Sequence, residues 1–483
     1  MNDVKTSNMV FKIGESPMES SWFSIIPFLI VIPIAIFTKQ VLPGLFLGLL
    51  VGAYLIDHSI IGGVEKLLHY VVQALRNKSN IEIVVFLYAF SGLIGMIKMA
   101  GGVKGFVETA AERIDTRKKA LILTYVSTIG TFSAPTFRFV TIAPIMRALL
   151  KKVKMTTAEL GFVIETTATP VIVLIPVATA FVGYMVSIIQ MAIDHQGIKQ
   201  DAYSLFIQSI PYNFFSIVII LVGIYFSFFH HSTSTAPMKL EEEDEKDWHD
   251  CHPCVSKDLP SKPWNLLVPL LVVISLTLLL TWWSGHHKRH SFFEAFIKAD
   301  VLEAMVVALI ITTLITLIFF LFQRFTLQNL LNGFITGGND LMSVILLLSV
   351  VWGLSAVTED LGFSNFVTAH SKWIPQMFVT PFMFIFGAAI SYFIGSAWGT
   401  WGILMPLGIS LASSADLSLP LIIGAVFASG SFGAFSSPLS DDTNTIAKIL
   451  DLSVIEYAKY KLKPALIAAG ITVAFYLIVS FLF

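Results

Sequence analysis

The stretch Phe435–Asn444, which reads F-S-S-P-L-S-D-D-T-N, concentrates side chains that could bind a cation. Two adjacent carboxylates, Asp441 and Asp442, stand among hydroxyl groups between two strongly apolar runs. An ionisable side chain at membrane depth costs roughly 2.5–3.5 kcal/mol and usually faces a cavity or a transport pathway. A helix N-cap formed by Ser440 or Asp441 is compatible with this stretch, but it leaves the paired carboxylates unexplained. We therefore expect an ion site here.

The composition indicates the class of protein. Hydrophobic residues make up 55% of the 483 residues, charged residues make up 13%, and the mean hydropathy is +0.78. A soluble domain carries about twice this charged fraction. The sequence therefore predicts an all-α polytopic protein that crosses the cell membrane several times and has the lipid bilayer as its surroundings. The net charge of −1 gives no indication of a nucleic-acid partner, and no cofactor is indicated.

The apolar segments fall into two halves with the same order of elements. We predict a polar tail (1–21), a first membrane repeat (22–229), a polar cytoplasmic linker (230–263) and a second membrane repeat (264–483). Each repeat holds about five transmembrane helices, one of them discontinuous, and one re-entrant hairpin. Because five is odd, the second repeat begins on the opposite side of the membrane and runs inverted. Both termini are expected outside.

The hairpins follow from length and charge. The apolar segment Ala120–Leu150 is interrupted at Gly130–Arg138, so each arm has at most about 12 residues, or roughly 18 Å, against a hydrocarbon core of about 30 Å. Both flanks of this segment are basic and hence cytoplasmic by the positive-inside rule. A re-entrant hairpin with Ser133–Thr136 at its tip fits both facts. Its counterpart in the second half is broken at Gly395–Gly402.

Two further apolar segments are interrupted by polar residues and proline. One is Ala158–Ile193, broken at E-T-T-A-T-P (Glu165–Pro170), and the other is Leu417–Leu450, broken within the stretch described first. Paired broken elements in inverted repeats are typical of transporters that work by alternating access around a site at the repeat interface.

The predicted site combines both hairpin tips and both broken helices. Its members carry oxygen atoms, and they are Ser133, Thr136, Ser396, Thr400, Thr166, Thr167, Thr169, Ser437, Ser440, Asp441, Asp442 and Thr443. Small hard cations take oxygen ligands, so we expect Asp441, helped by Asp442, to bind either Na⁺ or protons. Ordinary helix packing is the alternative role for each hydroxyl group.

Two other charges lie near the breaks. Glu165 is a second protonatable group or the partner of Arg138. Arg138 either extends to the cytoplasmic face beside Arg147, neutralises a carboxylate of the empty site, or binds a substrate carboxylate. The lysine-rich segment Lys459–Lys463 is expected to be a cytoplasmic turn before the last crossing, which begins at Pro464.

Five stretches together resemble the NhaC-type sodium/proton antiporters. They are Gly395–Leu407 (G-S-A-W-G-T-W-G-I-L-M-P-L), Ser429–Thr443 (S-G-S-F-G-A-F-S-S-P-L-S-D-D-T), Lys459–Leu466 (K-Y-K-L-K-P-A-L), Pro135–Arg138 (P-T-F-R) and Thr166–Pro176 (T-T-A-T-P-V-I-V-L-I-P). The resemblance implies a secondary transporter within the larger ion-transporter group, with sodium and protons as its transported ions and no enzymatic activity.

This chain departs from that family at two positions. Ala434 stands where the family usually carries an acid, and S-D-D-T replaces the family's S-D-T-T, so Asp442 is a candidate replacement for the lost carboxylate. The departures leave open an ion-coupled exchanger of organic acids, such as malate or lactate, or of amino acids. A small organic acid would need a cation such as Arg138 in the cavity. An intramembrane enzyme is a remote alternative, and the metalloprotease motif H-E-x-x-H is absent from the sequence.

The central loop and the assembly state are less informative. H-D-C-H-P-C (His249–Cys254) contains residue types that bind zinc, but the spacing is too cramped for an ordinary zinc finger and favours a solvated linker. A homodimer is an assembly that the sequence leaves open.

Overall fold

The computed structural model describes residues 22–102, 104–105, 116–131, 135, 138–139, 142–143, 146–147, 155–176, 179–228, 262–286, 301–370 and 375–482. Every regular element in these ranges is helical, and a 3₁₀ turn (Trp22–Ile25) precedes the first α-helix. The α-helices are α1 Ile26–Thr38, α2 Val41–Ile56, α3 Ile60–Arg76, α4 Lys78–Met99, α5 Arg117–Val126, α6 Thr128–Thr131, α7 Thr157–Thr166, α8 Thr169–Ile172, α9 Ala180–His195, α10 Ala202–Ser209, α11 Phe214–Phe228, α12 Trp264–His286, α13 Val301–Phe322, α14 Leu327–Asp340, α15 Met342–Asp360, α16 Phe363–His370, α17 Gln376–Ile394, α18 Ala397–Ser414, α19 Leu419–Ser436, α20 Asp441–Leu450 and α21 Val454–Leu482.

The predicted class, an all-α polytopic membrane protein, is confirmed. Within the described ranges, seven helices are long and apolar enough to cross a membrane, and up to nine are if each of two bent pairs counts as one crossing. One bent pair is α2 and α3, whose axes differ by 118°. The helix α3 is amphipathic, and it turns sharply away from the preceding crossing.

Both interrupted segments break at the predicted polar residues. In the first half, α7 ends at Thr166 and α8 begins at Thr169, with Pro170 in its first turn. In the second half, α19 ends at Ser436, and Ser437 is extended because the following Pro438 disfavours helical backbone before it. Ser440 then starts α20, since its hydroxyl accepts hydrogen bonds from two backbone N–H groups of the first turn.

The two short arms show how the halves are related. α7 and α20 have ten residues each, and they pack together in one apolar cluster that includes Val163 and Ile446. The short arm precedes the break in the first half and follows it in the second half. Because the two short arms lie side by side, the chain must run in opposite directions through the two breaks, as inverted repeats require.

The second hairpin turns more tightly than the sequence suggests. α17 ends at Ile394 and α18 begins at Ala397, so the break covers only Gly395 and Ser396 rather than the whole of Gly395–Gly402. Gly395 adopts φ 77°, a left-handed conformation that other residues avoid, and a Cβ there would lie 2.5 Å from the carbonyl group of Leu439. The turn is thus pressed against the break between α19 and α20.

Two predicted boundaries are wrong. Ala158–Ile193 is not one crossing with a single break, because a second interruption after Ile172 separates α9 from α8. The last helix begins at Val454, ten residues before the predicted start at Pro464, which lies inside it. Membrane helices tolerate proline, so Pro464 does not mark a helix start here. As a result, Lys459–Lys463 is part of a helix and not a turn.

Candidate functional site

The two broken helices meet through a hydrogen bond between Thr169 and Asp442. The Thr169 Oγ1 donates to Asp442 Oδ2 over 2.5 Å. Thr169 is the first residue of α8, and Asp442 lies in the first turn of α20. The backbone N–H of Asp442 is itself held by the hydroxyl of Ser440. One contact therefore joins the break of the first half to the break of the second half.

A buried ion pair lies beside this contact. The Lys461 Nζ is 2.6 Å from Glu165 Oε1 and 2.7 Å from Glu165 Oε2, and it also donates to the hydroxyl of Thr443 over 2.7 Å. The side chains of Lys461 and Glu165 are 0% and 1% exposed. Each of the three donors of the ammonium group thus has an oxygen acceptor, which a charge removed from water requires.

Aromatic rings complete the surroundings of the ammonium group. The Nζ lies 4.7 Å from the ring centre of Tyr457 and 5.3 Å from that of Phe435, distances at which a cation is attracted to a ring face. The hydroxyl of Tyr457 donates to Glu165 Oε2. Gly161 of α7 makes this approach possible, since a Cβ there would lie 2.9 Å from that hydroxyl.

Arg138 is buried on the other side of the first break. Its Nη1 donates to the hydroxyls of Ser127 (3.2 Å) and Thr131 (2.9 Å), and its Nη2 donates to the carbonyl oxygen of Thr124 (2.5 Å) and the hydroxyl of Thr167 (2.6 Å). The side chain is 0% exposed. Of the three alternatives for Arg138, extension to the cytoplasmic face is therefore wrong.

Arg138 also does not pair with Glu165, whose carboxylate binds Lys461. Among the described residues its four hydrogen-bond partners are neutral oxygens, and its Nε has no hydrogen-bond partner there. The guanidinium group attaches the first hairpin, through α5 and α6, to Thr167 at the first break.

The hydroxyls around the second break serve backbone groups. Ser437 donates to the carbonyl oxygen of Tyr392 in α17 over 2.6 Å, and Ser440 donates to that of Ala434 over 2.5 Å. Thr443 donates to the carbonyl oxygen of Ser437 while accepting from Lys461. Of these three hydroxyls, Thr443 alone also bonds to a charged side chain, that of Lys461, among the described residues.

The remaining predicted hydroxyls that the structure describes bond to backbone groups close to them in the chain. Ser396 caps α18 by accepting from the N–H of Gly399, and Thr400 donates to the carbonyl oxygen of Ser396. Thr166 donates to Phe162 and packs against Gly223 of α11. Ser133 and Thr136 lie outside the described residues, as do the tail 1–21 and the loop His249–Cys254.

Asp441 and Asp442 differ in their environments. Asp442 is partly buried and accepts the hydrogen bond from Thr169. Asp441 is exposed, and its carboxylate makes no hydrogen bond to the residues that the structure describes. The contact between the breaks therefore involves Asp442, although the sequence makes Asp441 the main candidate.

Lys461 and Tyr457 are the site residues that the sequence reasoning missed. A signal was available, because Lys461 belongs to the family-like stretch Lys459–Leu466 and stands four residues after Tyr457. On one helix this spacing puts both side chains on the same face. Lys459 and Lys463 are exposed, whereas Lys461 between them is buried.

The sequence of this chain is similar to one protein family and to an individual protein. A sequence model described as the Na+/H+ antiporter family matches residues 171–481. An uncharacterized protein of Haemophilus influenzae is 26% identical over 481 residues, which cover 96% of this chain and 91% of that protein.

Two solved structures share the fold. MtrF of Neisseria gonorrhoeae, described with a class of antimetabolite efflux pumps, has a TM-score of 0.62 at 14% identity, over 86% of this chain and 84% of MtrF. The YdaH transporter of Alcanivorax borkumensis, described as having an unusual topology, has a TM-score of 0.57 at 14% identity, over 86% of this chain and 88% of YdaH.

Proposed function

This chain belongs to the Na+/H+ antiporter family, and from that premise we propose that it exchanges Na⁺ for protons where its two broken helices meet. Its family and its structural neighbours are transporters and not enzymes. The observation that carries the proposal is the contact of Thr169 with Asp442, which joins the two breaks within one membrane-embedded site. We further propose that the chain is an antiporter of the NhaC type and that it lies in the cell membrane.

Asp442 is the proposed exchange site. Its carboxylate binds either Na⁺ or a proton, so the two ions compete for one position, and competition of this kind is sufficient for exchange. Hydroxyl and carbonyl oxygens near the breaks would supply the other Na⁺ ligands. α7 and α19 both end at the breaks, and such C-terminal helix ends carry a partial negative charge that favours a cation.

The geometry also suits alternating access. Each hairpin contacts the broken helix of its own half: Arg138 bonds to Thr167 in the first half, and Tyr392 of α17 accepts from Ser437 in the second. The contact between Thr169 and Asp442 then joins the halves. Because the pair of Glu165 and Lys461 also joins the halves, a movement that carries both hairpins and both breaks as one unit would open or close the site without breaking these contacts.

Proton movement in everted membrane vesicles tests the proposal. Addition of NaCl should move protons in the wild type, and Asp442→Asn should abolish this response because an amide carries no exchangeable charge. Asp441→Asn should weaken the sodium dependence less, since Asp441 is exposed. Sodium-dependent proton movement that survives in Asp442→Asn would contradict the assignment of this residue.

An ion-coupled exchanger of organic acids or amino acids is the second candidate. Arg138 favours it, because the guanidinium is buried among neutral oxygens and no carboxylate of the described residues balances its charge. A substrate carboxylate could supply that balance. The same vesicles should then respond to malate, lactate or an amino acid and give no response to sodium or potassium alone.

A further inference from the structure

We infer that Lys461 is a tethered cation that permanently occupies the carboxylate of Glu165, so that the transported ion is left with Asp442 and the site takes up a single Na⁺ in each cycle. This inference rests on the proposed function and adds to it the number of ions bound. The carrying observation is the position of the ammonium group, bound to both oxygens of Glu165 and to the hydroxyl of Thr443.

The ammonium group lies among the ligands that a sodium ion would take. Two carboxylate oxygens and one hydroxyl oxygen surround it at 2.6–2.7 Å. Hard cations bind this kind of oxygen set, and a lysine ammonium is a compact point charge with similar requirements. A sodium ion that bound both oxygens of Glu165 would have to displace Lys461, whose side chain is fully buried.

The charge balance then sets the number of ions. Glu165 and Asp442 contribute two negative charges on facing elements, and Lys461 contributes one positive charge between them. Arg138 lies on the other side of the first break, and among the described residues it bonds to neutral oxygens and to neither carboxylate. The negative charge that no bonded cation compensates is therefore that of Asp442, which one monovalent cation neutralises. Asp441 is exposed, so solvent rather than a second transported ion balances its charge.

Removal of the lysine charge should expose a second cation position. In Lys461→Met, Glu165 loses its partner and becomes available to a second Na⁺. Lys461→Arg keeps the charge and should keep a single Na⁺. Lys459→Met and Lys463→Met are matched controls, because they remove the same charge from exposed positions two residues away on the same helix.

Binding of ²²Na⁺ to the purified full-length protein counts the ions directly. The wild type, Lys461→Arg and both control variants should bind a single Na⁺ without cooperativity. Lys461→Met should bind a second Na⁺, a change in stoichiometry that a merely structural role for Lys461 would not produce. A folded Lys461→Met that still binds a single Na⁺ overturns the inference, and so does a wild type that binds two.

A double variant decides the case in which Lys461→Met does not fold. Glu165→Gln with Lys461→Met removes both charges, leaves no unpaired charge in the interior and should bind a single Na⁺. Loss of Na⁺ binding in this folded double variant would mean that the pair itself holds the transported ion, which overturns the inference. If the wild type neither binds Na⁺ nor moves protons in response to it, the proposed function fails instead.

Discussion

Two buried cations stand on either side of the first broken helix, and they are held in different ways. Lys461 is bound by the carboxylate of Glu165, so this pair is neutral as a unit. Arg138 is bound by one carbonyl oxygen and three hydroxyl groups, so its charge is dispersed but not balanced by the described residues. Removal of one partner of the ion pair leaves the other charge buried and unpaired, so it should lower folding stability most. Removal of one acceptor of the guanidinium leaves its other hydrogen bonds in place, so it should lower stability less.

The substitution Glu165→Gln should show the largest effect, because it leaves the ammonium of Lys461 buried and uncompensated. Breaking a buried ion pair in this way costs about 3–5 kcal/mol of folding stability. The measurement is the thermal midpoint of the detergent-solubilised protein, followed by size-exclusion chromatography after heating. The double variant with Lys461→Met should regain much of the loss.

Glu159→Gln is the matched control on the same helix. Glu159 pairs with Arg117, and the two side chains are 16% and 23% exposed, so water shares in solvating both charges. Partly exposed pairs contribute about 1 kcal/mol or less. Equal losses for Glu165→Gln and Glu159→Gln would show that burial adds nothing to the pair of Glu165 and Lys461.

Arg138→Lys should have an intermediate effect on stability. Lysine keeps the positive charge but lacks the planar set of five donors, so it can replace at most part of the four hydrogen bonds. The loss of two bonds to a charged group amounts to about 3 kcal/mol. Heating curves of the purified variant check this value, and Arg147→Lys, at a partly buried arginine that donates to Ile449, is the control.

Two isosteric substitutions should give the smallest effects and compare the cations directly. Thr167→Val removes one acceptor from Arg138, and Thr443→Val removes one acceptor from Lys461. Each should lower stability by about 1.5 kcal/mol, the lower value for a hydrogen bond to a charged group. Thr443→Val should in addition weaken the response to sodium in vesicles, since it lies beside Asp442. A weaker response to malate, lactate or an amino acid for Thr167→Val alone would point to the organic-acid alternative.

The positions of the breaks could be predicted from the sequence because they have local causes. At Pro170 and Pro438 a proline coincides with hydroxyl residues that can cap a helix, as Ser440 does, and this local combination marks where α7 and α19 end. Pro464, inside the last helix, lacks such neighbours. The separate helix α9 was not predicted because the interruption after Ile172 is apolar except for Pro176 and for Thr179, which caps α9.

The partner of Glu165 could not be predicted in the same way. Lys461 lies 296 residues further along the chain, and its burial depends on where the last helix begins. The positive-inside rule treats every lysine of a basic cluster as a surface charge. In a helix, however, Lys461 points to the opposite side from Lys459 and Lys463, and periodicity rather than charge determines which of the three is buried.

The unequal arms of the broken helices have a consequence for the electrical behaviour of the transporter. The ten residues of α7 or α20 span about 15 Å, whereas the 18 residues of α19 span about 27 Å. For a transmembrane voltage that falls evenly with distance along the arms, the breaks divide it unequally, with about a third on the side of the short arms. Since a unit charge gains about 2.3 kcal/mol per 100 mV, voltage acts more strongly on ions that enter along the long arms.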